Sequence, residues 1–385
     1  MRAALDIFRQ EAHAEADAIL RWWSENAPDP RGGFYGEIDA SGQPVPTASR
    51  AAILNARMLW FFSAAGETAS ARRAADYLRA HLFDTQQGGV FWSVDATGAP
   101  LDTKKQAYAQ AFTLYGFAEY YATTHDPTAL ATARALRDLI ETRFWDGARG
   151  GYIEALTRDW AAVIDPRLSD KDMDAPKTMN THLHVLEAYT RLHQVAPDAA
   201  SETALRRATQ VFIDRFMGSD GHLRLFFDMD WTDRTHAVSY GHDIEASWLL
   251  WEAAETLDDP ALIARARPHV LALARATLEQ GVLDHGGIAY ERGFDGRLDA
   301  DGEWWGQAEG LVGFVNAFQM TGEKAYADAA LRLWARIKSD YGAAQGREWT
   351  WYAHDAKRPP QALLSLWKCP YHNGRAMLEL VKRLG

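Results

Sequence analysis

Gln87-Gly88-Gly89-Val90-Phe91-Trp92 sets two glycines before residues that favour extended backbone, the signature of a turn entering a short hairpin. The same signal stands at Arg31-Gly32-Gly33-Phe34-Tyr35-Gly36 and at Arg149-Gly150-Gly151-Tyr152-Ile153. It returns at Asp220-Gly221-His222-Leu223-Arg224-Leu225, His285-Gly286-Gly287-Ile288-Ala289-Tyr290 and Gly346-Arg347-Glu348-Trp349-Thr350-Trp351. Six degenerate copies spaced by about sixty residues define a repeated supersecondary unit.

The segments between these signals are amphipathic helices, expected near 3–26, 47–65, 67–83, 105–124, 127–144, 177–195, 200–217, 240–257, 260–281, 303–321, 323–340 and 370–384. Short breaks at Gly66, His125-Asp126-Pro127, Pro197-Asp198, Asp258-Asp259-Pro260 and Thr321-Gly322 stop one helix and restart the next. Long breaks, each with a glycine–aromatic signal, separate the pairs. Twelve helices with alternating short and long connections either stack as an open solenoid or close as an (α/α)6 barrel. Closure is favoured because the long loops fall at one end and neither terminus carries a polar cap. The expectation is one all-α domain over residues 1–385, with β-hairpins in the loops on the pocket side. The helices that follow the long loops would then form the inner ring and point their N-termini at one pocket.

Composition narrows the function. A chain of 385 residues, 47% hydrophobic, can bury a large core, and a net charge of −11 argues against nucleic acid or an anionic membrane as partner. No apolar run is long enough to span a bilayer, and the N-terminus lacks a signal-peptide core. The single cysteine, Cys369, fits a reducing compartment, so a cytoplasmic location is expected. Fifteen tryptophans exceed what a core requires and suit a carbohydrate ligand.

The starts of the presumptive inner helices carry the polar side chains such a pocket needs: Arg50; Tyr108; Asn180 and His184; His242, Glu245 and Trp248; Trp305 and Glu309; His372 and Asn373. In Ser239-Tyr240-Gly241-His242-Asp243-Ile244-Glu245, Ser239 reads as the N-cap, and His242 and Glu245 share a helix face while Asp243 points elsewhere. Asn180 and His184 lie one turn apart and share a face. His182 and His184 diverge, so they cannot jointly clamp a metal, and His182 reads as structural. Trp304 reads as packing beside a functional Trp305. His13, His81, His125, His193 and His222 sit in surface-like or turn contexts. Phosphate-loop, dinucleotide and His-Glu-x-x-His motifs are absent, so no cofactor is expected, and a metal held by histidines and carboxylates stays open without a specific case in the spacing.

Four ordered segments resemble the N-acylglucosamine 2-epimerase superfamily, and within it the cellobiose and mannose 2-epimerases. They are Asn180-Thr181-His182-Leu183-His184, Tyr240-Gly241-His242-Asp243-Ile244-Glu245-Ala246-Ser247-Trp248, Glu303-Trp304-Trp305-Gly306-Gln307-Ala308-Glu309 and Trp367-Lys368-Cys369-Pro370-Tyr371-His372-Asn373. The resemblance implies an (α/α)6 barrel and metal-free inversion at C2 of an aldose or β-1,4-linked disaccharide. It implies that His242 and His372 are the acid/base pair, that Glu245 supports His242, and that Arg50, Tyr108, Asn180, His184, Trp305, Glu309 and Trp367 contact substrate. Gly306 departs from the proline expected in many relatives.

Such a reaction opens the sugar ring, removes the C2 proton to give a cis-enediol and returns a proton to the opposite face. Two imidazoles on opposite sides of one pocket suit it, with Arg50 or Tyr108 stabilising oxyanion charge. Three alternatives use the same residues: an aldose–ketose isomerase that reprotonates C1, an inverting glycoside hydrolase with Glu245 and Glu309 as acid and base, and a non-catalytic sugar-binding module.

Overall fold

The computed structural model describes residues 1–385 and contains twelve α-helices: α1 (Arg2–Asn26), α2 (Ala52–Ala64), α3 (Thr68–Tyr77), α4 (Ala107–Thr124), α5 (Pro127–Arg143), α6 (Met179–Val195), α7 (Ala199–Phe216), α8 (Tyr240–Leu257), α9 (Pro260–Ala276), α10 (Trp304–Thr321), α11 (Lys324–Asp340) and α12 (Tyr371–Arg383). Both α3 and α9 run on into one π-helical turn, Leu78–Leu82 and Thr277–Gly281.

Hydrophobic patterning separates the two rings. In α2, Ala-Ile-Leu-Asn-Ala-Arg-Met-Leu-Trp-Phe-Phe is apolar almost all round, and every residue from Ala52 to Ser63 is buried. A helix with no polar face must be covered on all sides, so α2, α4, α8 and α10 belong inside. In α3 and α11 the apolar residues form one stripe, and these helices lie outside with that stripe inward. Consecutive even-numbered helices pack on one another from α2 round to α12, and α12 returns to α2, which closes the ring. Each outer helix pairs with the inner helix before it in sequence, and α1 completes the set by packing on α12.

The short inner-to-outer turns follow cap chemistry. Asp126 accepts from the Thr128 amide at 2.9 Å with Pro127 in the first helical position. Asp259 and Pro260 repeat the arrangement, and Asp198 with Ser201 forms a capping box. His125, Asp258 and Gly322 end their inner helices in the left-handed conformation.

The long loops carry ten strands of two or three residues: β1 (Arg50–Ala51), β2 (Ser93–Val94), β3 (Pro100–Asp102), β4 (Lys105–Gln106), β5 (Ala155–Leu156), β6 (Lys177–Thr178), β7 (Phe226–Phe227), β8 (Ala237–Ser239), β9 (Glu291–Gly293) and β10 (Leu298–Asp299). β1, β4, β6 and β8 each lead straight into an inner helix and pair antiparallel with a strand of the next loop, β2, β5, β7 and β9. The second helix therefore starts at Ala52 rather than near 47, because Arg50 and Ala51 are committed to the ladder with Val94 and Ser93. The glycines make the turns possible. Gly151 has φ +80°, and a Cβ there would lie 2.4 Å from Trp231.

Each of the first three loops is locked by a buried ion pair that ties the end of the loop back to its beginning. Arg50 binds Asp29, Lys105 reaches Asp84 at 3.0 Å, and Lys177 reaches Asp146 at 2.9 Å. The cation in each pair is the first residue of the strand that enters α2, α4 or α6. No helix is long and apolar enough to cross a membrane.

Candidate active site

The inner-helix N-termini surround a cavity of about 560 Å³ at the loop end of the barrel. Its walls bring together Tyr108 of α4, Asn180 and His184 of α6, His242 and Glu245 of α8, Trp305 of α10, Trp367 and His372. Both histidines of the expected acid/base pair border this space. The indole of Trp305 lies against both, its ring centroid 4.8 Å from that of His242 and 5.7 Å from that of His372. Gly241 permits that placement, since a Cβ there would meet the Trp305 ring at 2.6 Å. The Trp305 indole N–H donates to Glu303 at 2.9 Å, which fixes the ring plane.

The two rings differ in what holds them. His372 Nδ1 lies 2.7 Å from Glu309 Oε1, while His242 Nδ1 meets the Ser239 hydroxyl at 2.8 Å. Ser239 occupies the N-cap position of α8 but turns its hydroxyl to the imidazole instead of a backbone amide. Burial pushes both rings down, His242 to about 3 with His184 adding to the effect, and His372 well below its ordinary value with Arg57 and Arg375 adding.

Several expected site residues stand elsewhere. Arg50 is 2% exposed, bound to Asp29 and to the Gly32 carbonyl, and does not border the cavity. The arginine that reaches the cavity from α2 is Arg57, two turns further in. It donates to the Tyr108 hydroxyl at 2.7 Å and stacks over Phe112 and Tyr371, with no carboxylate paired to it. Glu245 does not support His242. It accepts from Arg375 at 2.8 Å, while His242 Nδ1 is taken by the Ser239 hydroxyl. Trp248 and Glu309 lie beneath the cavity floor, where the Trp248 indole donates to Glu309 at 3.1 Å. Asn373 turns away to Glu348 at 2.8 Å. His222 is buried, not surface-like, with Nδ1 2.7 Å from Asp243. His182 is structural: its Nε2 accepts from the Tyr152 amide at 2.8 Å and its Nδ1 meets the Thr178 carbonyl at 2.6 Å. Trp304 packs against Trp351, ring centroids 4.5 Å apart, and also borders the cavity.

Under the floor lies Arg375, 1% exposed, with three carboxylates around it. It donates to Glu187, to Glu245 at 2.8 Å and to Glu309 at 2.6 Å, and it also contacts the Tyr371 hydroxyl. Glu187 in turn accepts from Tyr371 and holds His184 Nδ1 at 2.8 Å. Burial raises Glu187, but Arg375 and His184 outweigh it and hold the carboxyl at about 2. Burial and the neighbouring Glu309 push Glu245 well up. Glu309 has three donors and Glu245 one, so Glu245 is the member of the pair that carries a proton. Glu245, Glu309 and His372 form a trio with the composition of a metal site. The trio does not fit a cation, because the Arg375 guanidinium already donates to both carboxylates.

The sequence pattern gave no hint of Arg57 or Arg375, although Arg375 lies one turn after His372 on the same helix face. The rim is built by Lys171, Asp172, Tyr290, Tyr352 and Arg358. Lys171 reaches Glu303 at 3.4 Å across the mouth, and Arg358 is anchored on Asp299 and Asp301.

The sequence profile of the family described as N-acylglucosamine 2-epimerase matches residues 33–373, nearly the whole chain. The chain belongs to that family. Membership places it among enzymes of the isomerase class. It is 43% identical to a cellobiose 2-epimerase of Bacteroides fragilis over 98% of this chain and 99% of the relative. It is 26% identical to a D-mannose isomerase of Thermobifida fusca over 82% of this chain and 79% of that one. The solved cellobiose 2-epimerase of Bacillus thermoamylovorans superposes with a TM-score of 0.92 at 34% identity, covering 98% of this chain and 100% of the other. Superposition on a glycoside hydrolase family 76 α-mannanase of Bacteroides thetaiotaomicron gives a TM-score of 0.65 at 10% identity, over 97% of this chain and 95% of that one, a likeness of barrel architecture alone.

Proposed function

We propose that this enzyme inverts C2 at the reducing end of a β-1,4-linked disaccharide of the cellobiose type, by ring opening and a cis-enediol intermediate. The observation that carries the reading is the pair His242 and His372 on one cavity with the Trp305 indole against both rings. The likeness to cellobiose 2-epimerases along the entire chain supports the disaccharide, as does a cavity within the size range of ligand pockets with a charged rim above it.

Glu309, fully buried with Arg375 and Trp248 donating to it, accepts the Nδ1 proton of His372 and so presents Nε2 to the substrate as a base. The carboxylate then stabilises the imidazolium formed when the C2 proton arrives. His242, from the first turn of another helix, serves the opposite face. Arg57, a buried cation with no carboxylate to neutralise it, supplies positive charge where an enediolate oxygen develops. His184, its Nδ1 tied to Glu187, is placed to handle the hydroxyl proton that moves during ring opening. Trp305 and Trp367 offer flat apolar faces to sugar C–H groups.

Incubation of the enzyme with cellobiose in D2O, followed by chromatography and NMR, tests this reading. The epimer should appear with deuterium at C2, and His372→Asn should abolish exchange with the fold intact. An epimer free of solvent label would overturn the enediol route. The likeness to D-mannose isomerases fits the same intermediate reprotonated at C1, and a ketose in the product mixture would report it.

A further inference from the structure

Beside the main cavity lies a small pocket with about 40 Å³ open to the centres of water molecules, more than the 10–15 Å³ that one water needs. It shares Leu168, Asp172, Asn180 and His242 with the substrate cavity and ends on Glu154. That carboxyl is 1% exposed and has no cationic partner. Its two oxygens accept from the Thr178 and Thr181 hydroxyls at 2.7 and 2.6 Å. The Oδ1 of Asn180 is buried and has no hydrogen-bond partner.

Glu154 is also out of character for its place in the repeat. The carbonyl of Trp92 accepts from the first amide of α2, that of Glu154 from α4, that of Leu225 from α6 and that of Trp351 from α10. These four residues therefore occupy one register at the barrel mouth. Two are tryptophan and one is leucine, which pack. Of these four, only Glu154 carries a carboxyl.

The chemistry proposed above leaves a proton unaccounted for. Two neutral imidazoles can take a proton from one face of C2, but neither can return one to the other face unless it already holds an extra proton. Burial works against storing that proton on His242 itself. A nearby neutral carboxylic acid stores it without placing an isolated charge in the interior.

We infer that Glu154, through water in this side pocket held by Asn180, keeps the proton that His242 delivers to C2 and takes it back after turnover. In the forward step the Glu154 carboxyl gives a proton to the water, the water gives one to His242, and His242 donates to C2. Glu154 is left a carboxylate, and the proton removed from the other face of C2 rests on His372. Solvent exchange then resets both. Glu154 acts through His242 and is a positioning residue for the reaction. This inference rests on the epimerase reading.

The groups facing Glu154 set its ionisation. They are Asp172 and Arg167 from the loop above it, Lys104 from the approach to α4, Thr178, Asn180 and Thr181 from the start of α6, and His242 from α8. Burial raises the carboxyl to about 7, Thr181 and Thr178 oppose it and Asp172 adds to it. As pH rises through neutrality the stored proton is lost, so kcat should fall on the alkaline side.

The test compares pH profiles of wild type and Glu154→Gln, a variant of the same shape that keeps an oxygen for one threonine hydroxyl and turns an amide N–H to the other. The expected result is a kcat about tenfold lower below pH 6.5 in the variant, with the alkaline limb near pH 7 gone. A variant that keeps the limb, or that loses rate by the same factor at every pH, overturns the inference. Infrared difference spectra of the wild type should show a protonated-carboxyl band that bleaches near pH 7, a readout that stands even if the variant folds poorly. Absence of a band titrating there also overturns it. Wild-type enzyme that places no deuterium at C2 would instead remove the epimerase reading itself, a separate result.

Discussion

Arg375→Met tests the network under the cavity floor. The methionine approximates the buried length of the arginine but leaves Glu187, Glu245 and Glu309 without their shared cation. Glu187 alone sets the scale. A fully buried carboxyl held at about 2 instead of its ordinary 4.5 contributes about 3 kcal/mol at neutral pH. Because the folded value is depressed, this contribution is present above about pH 4.5 and is lost as pH falls toward 2. In the variant the strongest influence against burial is gone and only His184 and Tyr371 still oppose it, so Glu187 is expected to rise above its ordinary value. Its ionisation then works against folding, and the deficit relative to wild type grows as pH climbs from 5 to 8. Removing one partner from a buried ion pair costs about 3–5 kcal/mol in general, which agrees with the single-residue figure. Urea unfolding at pH 5 and pH 8, followed by fluorescence of the buried tryptophans, measures the difference. A deficit under about 1 kcal/mol, or one equal at the two pH values, would refute the reasoning that Arg375 is what keeps Glu187 ionised.

Other substitutions separate roles that the sequence left together. Glu309→Gln keeps the shape of the floor but removes the charge behind His372; kcat for epimerisation should fall about 100-fold with little change in KM, and initial rates against cellobiose concentration will show whether it does. Arg50→Met should cost about 1.5–3 kcal/mol of stability, since Asp29 keeps its contacts to Arg31, and leave KM unchanged, whereas a substrate contact would raise KM in a protein of normal stability. Gly306→Ala should add roughly 0.5–1 kcal/mol, since the new Cβ meets only the Gly241 Cα at 3.5 Å and the helix gains a better former; a lowered melting temperature would contradict this.

The barrel was legible because its two signals are local. Glycine–aromatic turns and capped amphipathic helices announce themselves within a few residues, and alternation of short and long breaks orders them into pairs. The site was legible only as far as helix position goes. His242, His372, His184, Asn180, Tyr108 and Trp305 lie where an inner-helix N-terminus must place them. Arg50 was misjudged because its distance from the helix start says nothing about Asp29, twenty-one positions back, which claims its charge. Glu245 was misjudged because a shared helix face does not decide between a histidine three residues back and an arginine 130 residues on. Arg57, Arg375 and Glu154 escaped notice because their meaning lies wholly in partners from other repeats.

The clasp formed by α1 has a consequence for how the chain reaches this state. Its Glu11, Glu15 and Trp23 bond to Trp334, Trp349 and Glu348, more than three hundred positions away. On the ribosome the amphipathic first helix must therefore wait, its apolar stripe uncovered, until almost everything else has been made. A circular permutant that begins at α2 and appends α1 after α12 would turn this most distant contact into a neighbouring one. It should acquire its native shape faster and with less aggregation at an unchanged barrel geometry.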